Sequence, residues 1–362
     1  MAEAEKSPLS RYVLASFALV PLSLAVAWIS PSPLLVFGVA AVAIIPLAYT
    51  MGVATEELGK HAGPGIGGLL NATFGNATEL IIALIALSSG LIEIVKASIT
   101  GSIIGNILLV LGMSFFAGGL RHRKQTFSRT AAGLQVTMMA LAVIGLVMPE
   151  LYALFVFGGP GAPVPRSQLE QMSLWIAAIL LTVYFAGLLF SLHTHKDVFN
   201  PVTPEGDPPR WGTRFALLVL FGATAVVALE AEVLVGALHA AVQQTGLNEL
   251  FVGVVVVAII GNAAEHGAAI LLAWKNKMEL SVGICTSSST QIALFVAPIL
   301  VVASFFLGSR MTLNFEPFEL VSIALSVAIV SMIASDGESN WYEGVLLMMV
   351  YAIVAVGFFF HP

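Results

Sequence analysis

Apolar residues run along this chain in long unbroken blocks, separated by short polar or Gly/Pro-containing breaks, with no sustained alternation of the kind a half-buried strand shows. A helix needs about 20 apolar residues to cross a bilayer. Eleven such blocks occur, at about 12–29, 34–58, 65–89, 97–120, 130–148, 170–192, 214–240, 249–273, 279–307, 317–335 and 341–360. The pattern predicts an all-α integral membrane protein of eleven transmembrane helices. The first block is followed by Ser30-Pro31-Ser32-Pro33 rather than by a small-residue cleavage site, so it reads as a helix that is retained. Composition agrees: 58% of residues are hydrophobic and only 10% charged, against about 25% charged in soluble domains.

The breaks carry the charge. Basic residues gather on the cytoplasmic side of membrane proteins. With the N-terminus in the cytoplasm and the C-terminus outside, only Lys96, Arg166 and Arg310 of the 15 Lys and Arg face out. The membrane is read as a prokaryotic-type plasma membrane. Two connections are long. Residues 149–169 are apolar and rich in Gly and Pro, whereas 193–213 are polar and include His193, His195, Asp197, Glu205 and Asp207. The net charge of −6 is confined to loops and a few buried sites, and no nucleic-acid partner is expected. A single cysteine, Cys285, excludes an internal disulfide and a cysteine metal cluster.

One short phrase occurs twice inside predicted spans: Gly75-Asn76-Ala77-Thr78-Glu79 and Gly261-Asn262-Ala263-Ala264-Glu265. An ionised glutamate at mid-bilayer costs roughly 2.5–3.5 kcal/mol or more, so two in matching context point to cation chemistry. The surroundings repeat as well. Ser102 follows Glu79 by 23 positions and Ser287 follows Glu265 by 22; Ser102/Asn106 and Ser287/Gln291 both stand at i, i+4. Glu56 and Glu57 end the second span, and Glu230 and Glu232 lie in the seventh. Spans 2–6 therefore resemble spans 7–11. An odd number of helices per unit inverts the second copy, the architecture of many secondary transporters. This divides the chain into 1–33 (N-terminal segment and helix 1), 34–192 (first repeat), 193–213 (cytoplasmic linker) and 214–362 (second repeat).

Asn76 and Glu79 share a helix face at i, i+3, as do Asn262 and Glu265. Gly75 and Gly261 remove side-chain bulk, which lets a neighbouring backbone or an ion approach. Two carboxylates, two amides and backbone carbonyls make the all-oxygen set that Ca²⁺ favours. Softer ligands are missing except for His266, which could equally tune Glu265 or pack structurally. Two nearby carboxylates titrate as a coupled pair. Two protons or one Ca²⁺ each neutralise them, and competition for one charge-compensated site is the basis of exchange. Ser102, Asn106, Ser287, Gln291 and His266 are candidates to line that site, although serines in membrane helices often bond their own i−4 carbonyl. Glu56, Glu57, Glu230 and Glu232 are candidate acidic entrances on opposite faces.

These motifs resemble the cation/proton exchanger family of the calcium/cation antiporter superfamily. Residues 67–79 look like its first signature region, Gly261 to His266 like its second, and Ser287 to Pro298 like the adjoining helix. The resemblance spans helices 2–11. It implies Ca²⁺/H⁺ antiport by alternating access, with Ca²⁺ and H⁺ as transported ions, no cofactor, and Glu79 and Glu265 as the cation and proton sites. It also implies that the long helices 1 and 6 slide together against a rigid core, and it allows homo-oligomers, trimers or dimers. Unlike some relatives, this chain has no long acidic stretch between its halves. The alternatives are Na⁺/Ca²⁺ exchange or exchange of another divalent cation on the same scaffold. A channel is a further class, betrayed by leak current. An intramembrane enzyme is disfavoured, because neither His-Glu-x-x-His nor a pair of membrane aspartates is present.

Overall fold

The computed structural model describes residues 8–156, 165–195 and 208–361. Asp197, Glu205 and Asp207 of the predicted linker, and residues 157–164 of the earlier loop, lie outside the described residues. The described chain is almost entirely helical. In order come α1 (Pro8–Ile29), α2 (Pro33–Phe74) and α3 (Ala77–Ser88). They are followed by α4 (Ile92–Arg121), α5 (Arg129–Val156), α6 (Arg166–Thr194), α7 (Thr213–Thr245), α8 (Glu249–Trp274) and α9 (Met278–Leu307), then α10 (Pro317–Ile333) and α11 (Trp341–Phe359). Eight helices among the described residues are long and apolar enough to cross a membrane, and Ala18–Ile29, Ala77–Ser88 and Pro317–Ile333 are shorter apolar helices. Two two-residue strands, β1 (Gln125–Thr126) and β2 (Glu338–Ser339), pair antiparallel.

Helix ends follow their local chemistry. Ser32 caps α2, accepting from the Leu35 N–H, with Pro33 in the first turn. Asn340 and Glu343 form a reciprocal capping box at the start of α11. Gly246 and Gly308 end α7 and α9 with φ of 71° and 79°, left-handed values open to glycine. Two expected boundaries are corrected. The fifth span was to stop at 148, before Pro149, yet α5 runs through Pro149 to Val156; a membrane helix tolerates an interior proline where neighbouring groups satisfy the freed carbonyl. The fourth was to begin at 97, yet α4 starts at Ile92, where Lys96 is buried and reaches Glu93 at 3.2 Å.

The second and third spans are joined differently from the expectation. Residues 33–74 stay helical throughout, but the run is not one straight rod. A Cβ built on Gly59 would lie 3.2 Å from the Gly67 Cα, whereas eight residues of straight helix would separate the two by about 12 Å. The chain doubles back between these glycines, so α2 is a helical hairpin with two arms. The second arm ends at Phe74, and Gly75–Asn76 separates it from α3.

The chain folds as two compact units, and neither coincides with a sequence half. One contains Met1–Ile85, Pro204–Leu247 and Ile260–Ala264. Its core sets Leu47, Met51, Ala54 and Leu58 of the α2 first arm against Ala216, Leu220, Ala223 and Val227 of α7. The other contains Ala86–Thr203, Asn248–Ile259 and Glu265–Pro362. Within it α4 packs on α8 and α11, α5 on α9 and α10, and α6 on α9. In this division α6 falls in the second unit, and α1 packs with α2 and α7 in the first. The reason is packing: the long apolar face of α2 is covered by α1 and α7.

Candidate functional site

In the first unit, the Gly75–Asn76 break falls inside the repeated phrase itself. Gly75 has right-handed helical angles and its N–H still bonds the Asn71 carbonyl at 2.8 Å; beyond the break, the Leu80 N–H bonds the Asn76 carbonyl at 3.0 Å. Helical bonding thus resumes at once, and Glu79 stands in the first turn of α3, where the positive end of the helix dipole favours a carboxylate. Asn76 is buried. Gly261, also in this unit, borders Glu79: a Cβ built there would lie 3.1 Å from Glu79 Cγ. The missing side chain at 261 is what leaves room for the glutamate, so one motif's glycine makes space for the other motif's acid. The second copy is not interrupted. Gly261 and Asn262 lie within a continuous stretch of α8, Asn262 is buried, and the irregular turn comes earlier, as a π-helical segment at Val252–Val257.

The second unit links four polar side chains into a buried chain. The Ser288 hydroxyl bonds the Glu265 carboxyl. Asn106 Nδ2 donates to Ser288 Oγ at 3.0 Å, and Asn106 Oδ1 lies 3.0 Å from His266 Nε2. The amide accepts at this oxygen, so His266 Nε2 carries the proton. His266, Asn106 and Ser288 are all buried. Glu265 Oε2 is buried as well and has no hydrogen-bond partner. Asn106 lies in a π-helical segment of α4 (Gly105–Val110), and α9 has its own directly after Gln291 (Ile292–Val296). Such bulges rotate side chains out of α-helical phase and are common at functional sites.

The remaining candidates fall into place around these residues. Ser102 is buried and Gln291 half-buried. Ser287 is half-buried and turns back on its own helix, its hydroxyl 3.4 Å from the Ile284 carbonyl. The serine that reaches Glu265 is its neighbour Ser288, which sequence reasoning passed over. Ser289 binds the Ile103 carbonyl at 3.2 Å and so ties α9 to α4. Of the four outlying acids, Glu56 and Glu232 are exposed, whereas Glu57 and Glu230 are buried. Glu57 accepts from the Arg210 and Trp211 backbone N–H groups at 2.6 and 3.0 Å and from Lys60 at 2.8 Å. It clamps the entry to α7 onto α2. Glu230 is fully buried and accepts from the Ser23 hydroxyl of α1 at 2.7 Å. The exposure that an acidic entrance needs is therefore met by Glu56 and Glu232 alone. Among the described residues, no three His, Cys, Asp or Glu side chains are grouped to hold a metal. An oxygen shell here would be completed by amides, hydroxyls and carbonyls.

Comparison with known proteins bears on this arrangement. The sequence pattern described as sodium/calcium exchanger protein matches residues 32–193 and 215–360. The chain is 46% identical over 373 residues to a Ca²⁺/H⁺ antiporter of Synechocystis sp., covering 98% of each. It is 47% identical over 334 residues to the Ca²⁺/H⁺ antiporter ChaA of Bacillus subtilis, covering 91% of this chain and 93% of that one. The solved structure of native YfkE superposes with a TM-score of 0.83 at 41% identity, covering 97% of this chain and 100% of that one.

Proposed function

The chain belongs to the sodium/calcium exchanger family, and from that premise we infer that it is a secondary transporter exchanging Ca²⁺ for H⁺ across a membrane. The relatives named Ca²⁺/H⁺ antiporter, similar over nearly the whole chain, support this reading. The observation in the structure that carries it is the Glu265 carboxyl. One of its oxygens is held by Ser288 and the other is buried with no protein donor. A bare charge so placed costs several kcal/mol, so the group is neutralised by a proton or by a cation. That either/or is the chemical requirement of exchange. Glu79 occupies the equivalent position in the first repeat, and we assign Glu79 and Glu265 as the carboxylates that take up Ca²⁺ and H⁺ in alternation. Asn76 and Asn262 supply neutral amide oxygens beside them, and Gly75 and Gly261 give the ion and the acids room. Neutral amides at both positions favour protons over Na⁺ as the driver, because Na⁺ coupling calls for additional small oxygen sites or further acids.

The halves 34–192 and 214–362 act as inverted repeats in this scheme, with the N-terminus cytoplasmic and the C-terminus outside, and Ca²⁺ leaves the cytoplasm. Alternating access is assigned to the long helices 1 and 6 sliding together against the remaining helices, as the family resemblance implies. Proteoliposomes with an imposed pH or Na⁺ gradient test the function. Ca²⁺ uptake is expected to follow the pH gradient with no Na⁺ present. Uptake that needs a Na⁺ gradient would move the chain to the Na⁺/Ca²⁺ reading, and a panel of divalent ions ranks Ca²⁺ against its rivals.

Ser288 gives a finer prediction. Ser288→Ala removes a donor from Glu265 and an acceptor from Asn106, and one such bond contributes about 0.5–1.5 kcal/mol, or more to a charged group. The apparent Ca²⁺ affinity is expected to shift about three- to tenfold. Ser287→Ala, whose hydroxyl bonds the Ile284 carbonyl of its own helix, should stay within about twofold. Ca²⁺ titrations of uptake in vesicles measure both, and equal effects would remove Ser288 from its role.

A further inference from the structure

We propose that the second unit holds one anionic phospholipid in a groove between α5 and α10, its phosphate at Arg129 and an acyl chain lying along the two helices. The groove has a volume of about 970 Å³. It exists because both helices present small side chains to it: Gly133, Thr137 and Ala140 from α5, Ala324, Ala328 and Ser331 from α10. Residues at these spacings recur on one face, three, four or seven apart. Arg129 and Ser335 lie at one end, and the walls become purely apolar toward Val143 and Ile144. The contact of Arg129 with Gly337, just past the end of α10, shows that the start of α5 meets the end of α10.

Three observations select the occupant. The first is charge. Arg129 is exposed and forms no ion pair among the described residues. It opens α5, so the positive end of that helix adds to its own charge. Thr130 and Ser335 place hydroxyls beside it. The second is length. From Ala324 to the end of α10 at Ile333 the helix rises about 14 Å, close to the roughly 15 Å of a single leaflet. The third is the order of the lining: the groove runs from Arg129 and the hydroxyls of Thr130 and Ser335 to walls of Val143 and Ile144, the sequence of a charged headgroup joined to an acyl chain. Basic pockets between membrane helices on the cytoplasmic side are suited to anionic headgroups.

Native mass spectrometry of the purified full-length protein tests this, with phosphatidylglycerol titrated against phosphatidylcholine of the same acyl chains. The wild type should retain phosphatidylglycerol about fivefold more tightly, the amount expected of one basic residue at the membrane surface. Arg129→Gln should bring the two lipids level, and Ala328→Leu, at an exposed position, should lower retention of both. Inorganic phosphate added in excess should not displace the lipid, because the acyl groove carries part of the binding. No preference in the wild type would overturn the proposal, as would a preference that survives Arg129→Gln. So would Ala328→Leu changing the oligomeric mass and leaving lipid retention intact, which would make the groove a seat for a second copy. None of these readouts depends on transport, so the lipid site and the antiport reading stand or fall separately.

Discussion

Vesicles carrying Glu265→Gln are expected to show no Ca²⁺ uptake above background when a pH gradient is imposed, although the protein is made and folded. Glutamine matches glutamate in volume, and its amide oxygen still accepts from Ser288. What disappears is the titratable proton and the negative charge. Depriving a buried charge of its partner costs about 3–5 kcal/mol, and each 1.4 kcal/mol is tenfold in affinity. Uptake should therefore fall by about two orders of magnitude or more. Proton coupling fails with it, because an amide does not exchange a proton at this position. Glu79→Gln should do the same, since its position is equivalent in the other repeat. Either variant retaining a tenth or more of wild-type uptake would contradict the assignment. Equal thermal melting of variant and wild type in detergent would show that the loss is chemical.

What made these acids legible is that each breaks a rule of its surroundings. A glutamate inside an apolar block is conspicuous, and a second copy in the same phrase turns an oddity into a pattern. Helix positions were legible for the same reason: apolar blocks of the right length and the basic breaks between them report the solvent. Less was visible where the answer depends on rotation about a helix axis. Ser287/Gln291 mirrors Ser102/Asn106 at i, i+4, yet it is Ser288 whose hydroxyl reaches Glu265. Which serine faces the acid depends on how the helix is turned about its axis, and a run of three serines offers no sequence signal to choose among them. Likewise the gap between the second and third predicted spans reads as a break in the helix, but the chain is helical from Pro33 to Phe74. Glu57 and Glu230 read as entrance acids because their partners, the Trp211 N–H and the Ser23 hydroxyl, are more than 150 positions away in the chain.

Three glycine-to-alanine variants should separate stability from transport. Gly101→Ala is expected to yield protein that melts far below the wild type or fails to accumulate. A Cβ at 101 would overlap the carbonyl and Cα of Val254, because α4 and α8 cross there in backbone contact. Gly253 faces Ala97 across the same crossing. Small residues are what allow membrane helices to approach this closely. Overpacking costs about 1–3 kcal/mol when side chains can give way, and here the obstacle is backbone, so the helices themselves must part. Gly105→Ala, four residues on, meets nothing within 4 Å and should melt at or above the wild-type temperature, since alanine is the better helix former by about 1 kcal/mol. Gly261→Ala falls between them. Its Cβ would stand 3.1 Å from the Glu79 side chain, which is flexible and can swing aside. Stability should hold while the apparent Ca²⁺ affinity drops several-fold, because the carboxylate moves. Melting curves and Ca²⁺ titrations on the three variants read these outcomes directly. A stable Gly101→Ala would refute the tight α4–α8 crossing, and an unaltered Ca²⁺ titration for Gly261→Ala would detach Glu79 from the ion.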